Sequence, residues 1–163
     1  MRLDEAVRLA IEAEEDLATE LARVAGRHAA DHDVYHLGHT LAKRCREHLT
    51  LLAPLAESFG VPAPDAEAGS AERGPVDTVR RMAADAVGRS SLPGLRLLLD
   101  LRDCYLTAQR AEVTLVILGQ GAKAARHAEL QAVAEACREE TEGTAKWLRT
   151  KMKEASPQVL VAG

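Results

Sequence analysis

Four polar residues interrupt otherwise apolar helical seams, and their types suit metal coordination or buried hydrogen bonding. Glu14 falls within the series Leu3, Val7, Ala10, Glu14, Leu17, Leu21 and Val24. His48 falls within Val34, Gly38, Leu41, Cys45, His48, Leu52, Leu55 and Phe59, and Glu112 within Leu98, Leu101, Tyr105, Ala108, Glu112, Leu115, Gly119 and Ala122. Alternating steps of three and four mark the buried stripe of a helix packed among others. A fourth segment, about Ala128 to Ala155, carries two competing registers. One runs Leu130, Val133, Cys137, Glu140, Thr144 and turns Glu140 inward; the other runs Leu130, Ala134, Cys137, Thr141, Leu148 and leaves Glu140 at the edge. An unpartnered buried carboxylate or imidazole costs about 1–3 kcal/mol or more, so such intrusions are expected to meet one another.

The elements that must bring them together follow from the turn signals. Asp31-His32-Asp33 offers N-cap chemistry between the first two helices, Pro93 opens the third, and Arg126-His127 separates the third from the fourth. Glu14 and His48 are equidistant from residue 31, and Glu112 and Glu140 from residue 126, so each helical hairpin pairs two polar seam residues at one height. Pro157 is expected to stop the last helix, whose final turns hold Lys146, Arg149, Lys151 and Lys153. Between Gly60 and Leu92, the residues Pro62, Pro64, Gly69, Gly74 and Pro75 break any regular pattern, and Pro75 to Val87 could form a short helix. The expected fold is all-α: one domain over residues 1–163, an antiparallel four-helix bundle with a long crossover between its second and third helices.

This arrangement resembles the ferritin-like superfamily, and the resemblance in architecture covers nearly the whole chain. In metal-binding members two helices each give a Glu and two give Glu-x-x-His, which together hold a pair of metal ions. Glu14 and Glu112 stand at the places of the single Glu residues. The second helix reads Cys45-x-x-His48, with Glu47 beside the imidazole, and the fourth offers Glu139-x-x-Glu142 and Glu140-x-x-Gly143, without a histidine after His127. The resemblance thus implies a degenerate site. One reading is a single iron or zinc ion held by Glu14, His48, Glu112 and Glu140 or Cys45, serving an oxidoreductase or a metal-storage relative. The favoured reading is a metal-free polar network, with Tyr105 and Gln109 as hydrogen-bond partners, in a stress-related protein or one that binds a partner or ligand.

Other residues carry less. His28, His32, His36 and His39 cluster across the first turn and read as solvated residues rather than a second metal site. Ser90 and Ser91 suit capping, and Gly119-Gln120-Gly121 suits packing or bending, since no strand precedes it as a phosphate loop would need. Cys45, Cys104 and Cys137 are widely spaced and odd in number, which suits reduced core thiols. A net charge of −4 and four aromatic residues (one Phe, one Trp, two Tyr) argue against nucleic acid as a partner. No apolar run reaches spanning length and Asp4-Glu5 follow the first three residues, so no membrane and a cytoplasmic setting are expected, with a homodimer as the expected assembly.

Overall fold

The computed structural model describes residues 2–69 and 92–162, which form four α-helices and no strand. They are α1 (Leu3–Arg27), α2 (His32–Ser58), α3 (Pro93–Ala124) and α4 (Ala128–Leu160). The expected short helix at Pro75 to Val87, and Ser90 and Ser91, lie outside the described residues. No described helix is long and apolar enough to cross a membrane.

Local chemistry sets the helix boundaries. Asp31 caps α2, its side chain accepting from the Val34 N–H at 3.1 Å, and His127 caps α4 through Nδ1, which accepts from the Leu130 N–H at 3.2 Å. Pro93 opens α3, where its missing N–H costs nothing. Helices α2 and α3 end in the same motif. After α2 the Val61 N–H reaches the Ala56 carbonyl and the Gly60 N–H that of Glu57; after α3 the His127 N–H reaches Ala122 and the Arg126 N–H reaches Lys123. The residue that must turn left-handed is Gly60 (φ 69°) in the first and Arg126 (φ 57°) in the second.

One expected boundary is corrected. Helix α4 does not stop before Pro157 but runs through it to Leu160. The proline lies one turn from the end, where its ring removes only one ladder bond, and the Val161 N–H still closes on the Pro157 carbonyl.

Helix α1 packs against α2 and α3, α4 packs against α3, and α2 and α4 touch more lightly. Gly38 seats α2 closely on α1, since a Cβ there would lie 2.9 Å from the Ala25 Cβ. The α1 seam read from sequence is buried throughout, and so is that of α2 up to Leu55. Helix α3 keeps Leu101, Ala108, Leu115 and Ala122 in the core, but the intervening core places belong to Cys104, Ala111 and Leu118 rather than to Tyr105, Glu112 and Gly119 alone. In α4 the second register prevails: Leu130, Ala134, Cys137, Thr141 and Leu148 are buried, and Glu140 stays at the edge.

Candidate functional site

The inner polar cluster is built on α1, α2 and α4. Glu14 is fully buried in the middle of α1, and His48 is buried on the facing surface of α2. Their side chains meet, with His48 Nδ1 3.0 Å from Glu14 Oε2. The other ring nitrogen, Nε2, lies 3.1 Å from Glu140 Oε2, so the imidazole bridges a buried carboxylate and one at the solvent edge. Thr141, next to Glu140 but turned inward, donates its hydroxyl to Glu14 Oε1 at 3.1 Å. Arg44, one turn before His48, brings Nε to 3.3 Å from Glu140 Oε2. Both carboxylate oxygens of Glu14 and both nitrogens of His48 therefore have partners. No buried side-chain nitrogen or oxygen among the described residues lacks one.

Electrostatics follow from this packing. Burial pulls the His48 imidazole toward its neutral form, but the hydrogen bond and charge of Glu14, and then those of Glu140, outweigh it, and the His48 pKa is raised. Cys45 and Cys137 flank Glu14. Burial first, and the Glu14 carboxylate second, push the Cys45 thiol far up; the same causes, with Glu140 added, push Cys137 up to about 12. Burial likewise raises Cys104. All three cysteines are buried and free.

Glu112 takes a different place. The contacts of Asp16 with Arg110 and of Leu3 with Gly121 set it at the height of Glu14, but it is half buried and its carboxylate accepts from the Gln109 amide at 3.2 Å. Ala111 fills the core position beside it. Tyr105 packs against the core with the Arg149 guanidinium 5.6 Å from its ring centre. The structure thus joins Glu14, His48 and Glu140, with Cys45 beside them, while Glu112 and Gln109 pair with each other. Among the described residues no group of three or more His, Cys, Asp or Glu side chains is arranged to hold a metal ion.

A second buried charge, not singled out in the sequence, is Asp100. It sits near the start of α3 and meets the end of α1: His28 Nε2 lies 2.7 Å from Oδ2, Arg27 Nη1 3.1 Å from Oδ1, and Arg23 Nη2 3.3 Å from Oδ1, with Arg96 one turn away on α3. Burial alone would raise the Asp100 pKa, but the His28 hydrogen bond and the charges of Arg23 and Arg27 hold it well below the usual carboxylate range. A lone aspartate inside the apolar run Leu95–Leu101 was the available signal.

Of the other histidines, His32 and His36 stand exposed at the start of α2 with ring centres 4.2 Å apart, and Tyr35 packs edge-on against His36 and His39. Lys151 of α4 pairs there with Asp31 and Asp33. Comparison with known proteins finds no matching family model, no matching curated protein and no matching solved structure.

Proposed function

We propose that this chain is a ferritin-like, antiparallel four-helix bundle whose ancestral metal place is taken by a hydrogen-bonded Glu14–His48–Glu140–Thr141 network, and which acts without a metal as a stress-related or partner- or ligand-binding protein. The topology is supported by the order of contacts. Residues late in α1 meet residues early in α2 (Ala25 with Gly38), and central ones meet central ones (Glu14 with His48). Arg27 meets Asp100 while Leu3 meets Gly121, Gly94 meets Val159 while Gly119 meets Ala134, and Asp33 meets Lys151 while His48 meets Glu140. Each series runs in opposite directions along its two helices.

The crossover is supported by the chain after α2. Asp65 donates its N–H to Glu15 Oε1, Arg46 donates to the Ala68 carbonyl at 3.3 Å, and Gly69 lies against the Ala18 carbonyl. Arg46 is thirteen residues before Phe59, so the chain has already run back about 20 Å along α2. That is the direction it must take if α3 is to begin beside the end of α1.

The observation that carries the metal-free reading is that both carboxylate oxygens of Glu14 and both ring nitrogens of His48 already have side-chain partners. A cation here would compete with the Thr141 hydroxyl for Glu14 Oε1 and with the Arg44 guanidinium for Glu140 Oε2. The alternative is a single iron or zinc ion on Glu14, His48 and Glu140 with Cys45, in an oxidoreductase or metal-storage relative, and the convergence of these donors on one imidazole favours it over any other site in the chain.

Elemental analysis of protein purified without chelator decides between the two. The expected result is iron and zinc far below one atom per chain, and no rise in melting temperature when either is added. Stoichiometric metal that disappears in Glu14→Ala would replace the network reading with the metal-site reading.

A further inference from the structure

Helix α3 is apolar on two opposite faces. One face, with Leu101, Cys104, Ala108, Ala111, Leu115, Leu118 and Ala122, is in the core. Opposite it, Leu95, Leu99, Leu106, Val113 and Ile117 are all exposed, Leu106, Val113 and Ile117 by more than half. At 100° per residue these five fall within an arc of about 40° and extend about 33 Å along the helix. Leu9 of α1 widens the stripe at its Ile117 end, across a groove of about 320 Å³. A helix packed on one side in water ordinarily carries charge on the other, so a stripe of this length marks a surface that is covered.

We propose that a second copy of this chain covers it, with α3 packed antiparallel on α3 of its mate about a two-fold axis through Leu106. The pattern is its own complement. Leu99 and Val113 lie seven residues on either side of Leu106, and Leu95 and Ile117 eleven on either side, so the reversed helix sets Leu99 against Val113, Leu95 against Ile117 and Leu106 against itself. Steps of seven between Leu99, Leu106 and Val113 keep these contacts in line along a pair of helices.

Charge supports the same occupant and register. Asp103 and Arg110 are exposed on the same border of the stripe, the one facing α1, three residues before and four residues after Leu106. Within the chain Arg110 pairs with Asp16 and Asp103 with Arg102; a two-fold axis brings Arg110 of each chain to the level of Asp103 of the other, which extends these pairs into two symmetric charge clusters across the interface. On the opposite border the same operation sets Arg102 near Gln109, which leaves no like charges directly apposed.

Analytical ultracentrifugation of the full chain at micromolar concentration is expected to give twice the 17.6 kDa chain mass. Leu106→Glu, which places two carboxylates on the axis, is expected to give the single-chain mass with unchanged circular dichroism. Mild oxidation is expected to link Leu106→Cys chains into covalent dimers in high yield, since only a residue near the axis meets its own counterpart. Val113→Cys, about 21 Å from its counterpart, is expected to stay unlinked. A native chain of single mass, a dimer that Leu106→Glu leaves intact, or linkage through Val113→Cys and not Leu106→Cys would each overturn the proposal.

Discussion

His48 reaches Glu14 through Nδ1 at 3.0 Å, with the carboxylate wholly buried and the imidazole nearly so. Because the folded state raises the pKa of His48, this contact stabilises most below about pH 6.5, where the unfolded imidazole also binds a proton. As pH rises through the raised value the folded imidazole releases its proton and that contribution is lost. Glu14→Gln is therefore expected to cost on the order of 3 kcal/mol near pH 6 and clearly less near pH 9. Urea denaturation at both values checks this, and an equal loss at the two would show that the charge of His48 plays no part.

Asp100 works with the opposite sign. Its carboxylate, held by His28, Arg27 and Arg23, has a lowered pKa, so its contribution is complete above the unfolded value near 4 and fades as pH falls below it. Asp100→Asn removes the charge that Arg23 and Arg27 share and is expected to cost about 3 kcal/mol at pH 7. The difference from the native chain should shrink steadily between pH 4 and pH 2. Thermal melts across that range would show it.

What the sequence disclosed, and what it concealed, turns on residues that fit two periodicities at once. Along α1 the seam marked by its large apolar residues is buried throughout, with Ile11, Ala13, Ala18 and Ala25 buried beside it. On α3 the places Leu101, Ala108, Leu115 and Ala122 belong equally to a series through Tyr105 and Glu112 and to one through Cys104 and Ala111. Small residues are poor markers of burial, so Cys104 and Ala111, which are wholly buried, leave no stronger mark in the sequence than the half-buried Tyr105 and Glu112. Glu140 is a candidate from the sequence, with its inward and edge placements both open. Its Cα lies on the edge of α4, yet the length of its side chain takes the carboxylate to His48, a reach that backbone periodicity does not register. Asp100 was masked by its apolar neighbours, since its partners come from the end of α1, 72 to 77 residues away.

The three cysteines give a prediction that needs no mutation. Burial holds each thiol above its ordinary pKa, so the reactive thiolate is scarce at neutral pH and the sulfur atoms are shielded from reagents. Ellman's reagent at pH 8 is expected to leave the native chain almost unlabelled and to titrate three thiols per chain in concentrated guanidinium chloride. Fast labelling of one thiol in the native state would mean that its part of the core opens.

Gly60 and Arg126 occupy the same position in two identical helix-ending turns, and the comparison predicts opposite responses to substitution. Both adopt a left-handed backbone, where a side chain costs roughly 1–2 kcal/mol that glycine avoids. Arg126 is exposed, and the turn is held by main-chain bonds from His127 to Ala122 and from Arg126 to Lys123, which glycine would keep. Arg126→Gly is therefore expected to stabilise the chain, by somewhat less than 1 kcal/mol once the added freedom of the unfolded chain is subtracted. Gly60→Ala should destabilise it by about 1 kcal/mol, although nothing lies within 4 Å of the added methyl group. Urea midpoints of the two variants, moving in opposite directions with unchanged slopes, would confirm that backbone conformation rather than contact sets both effects.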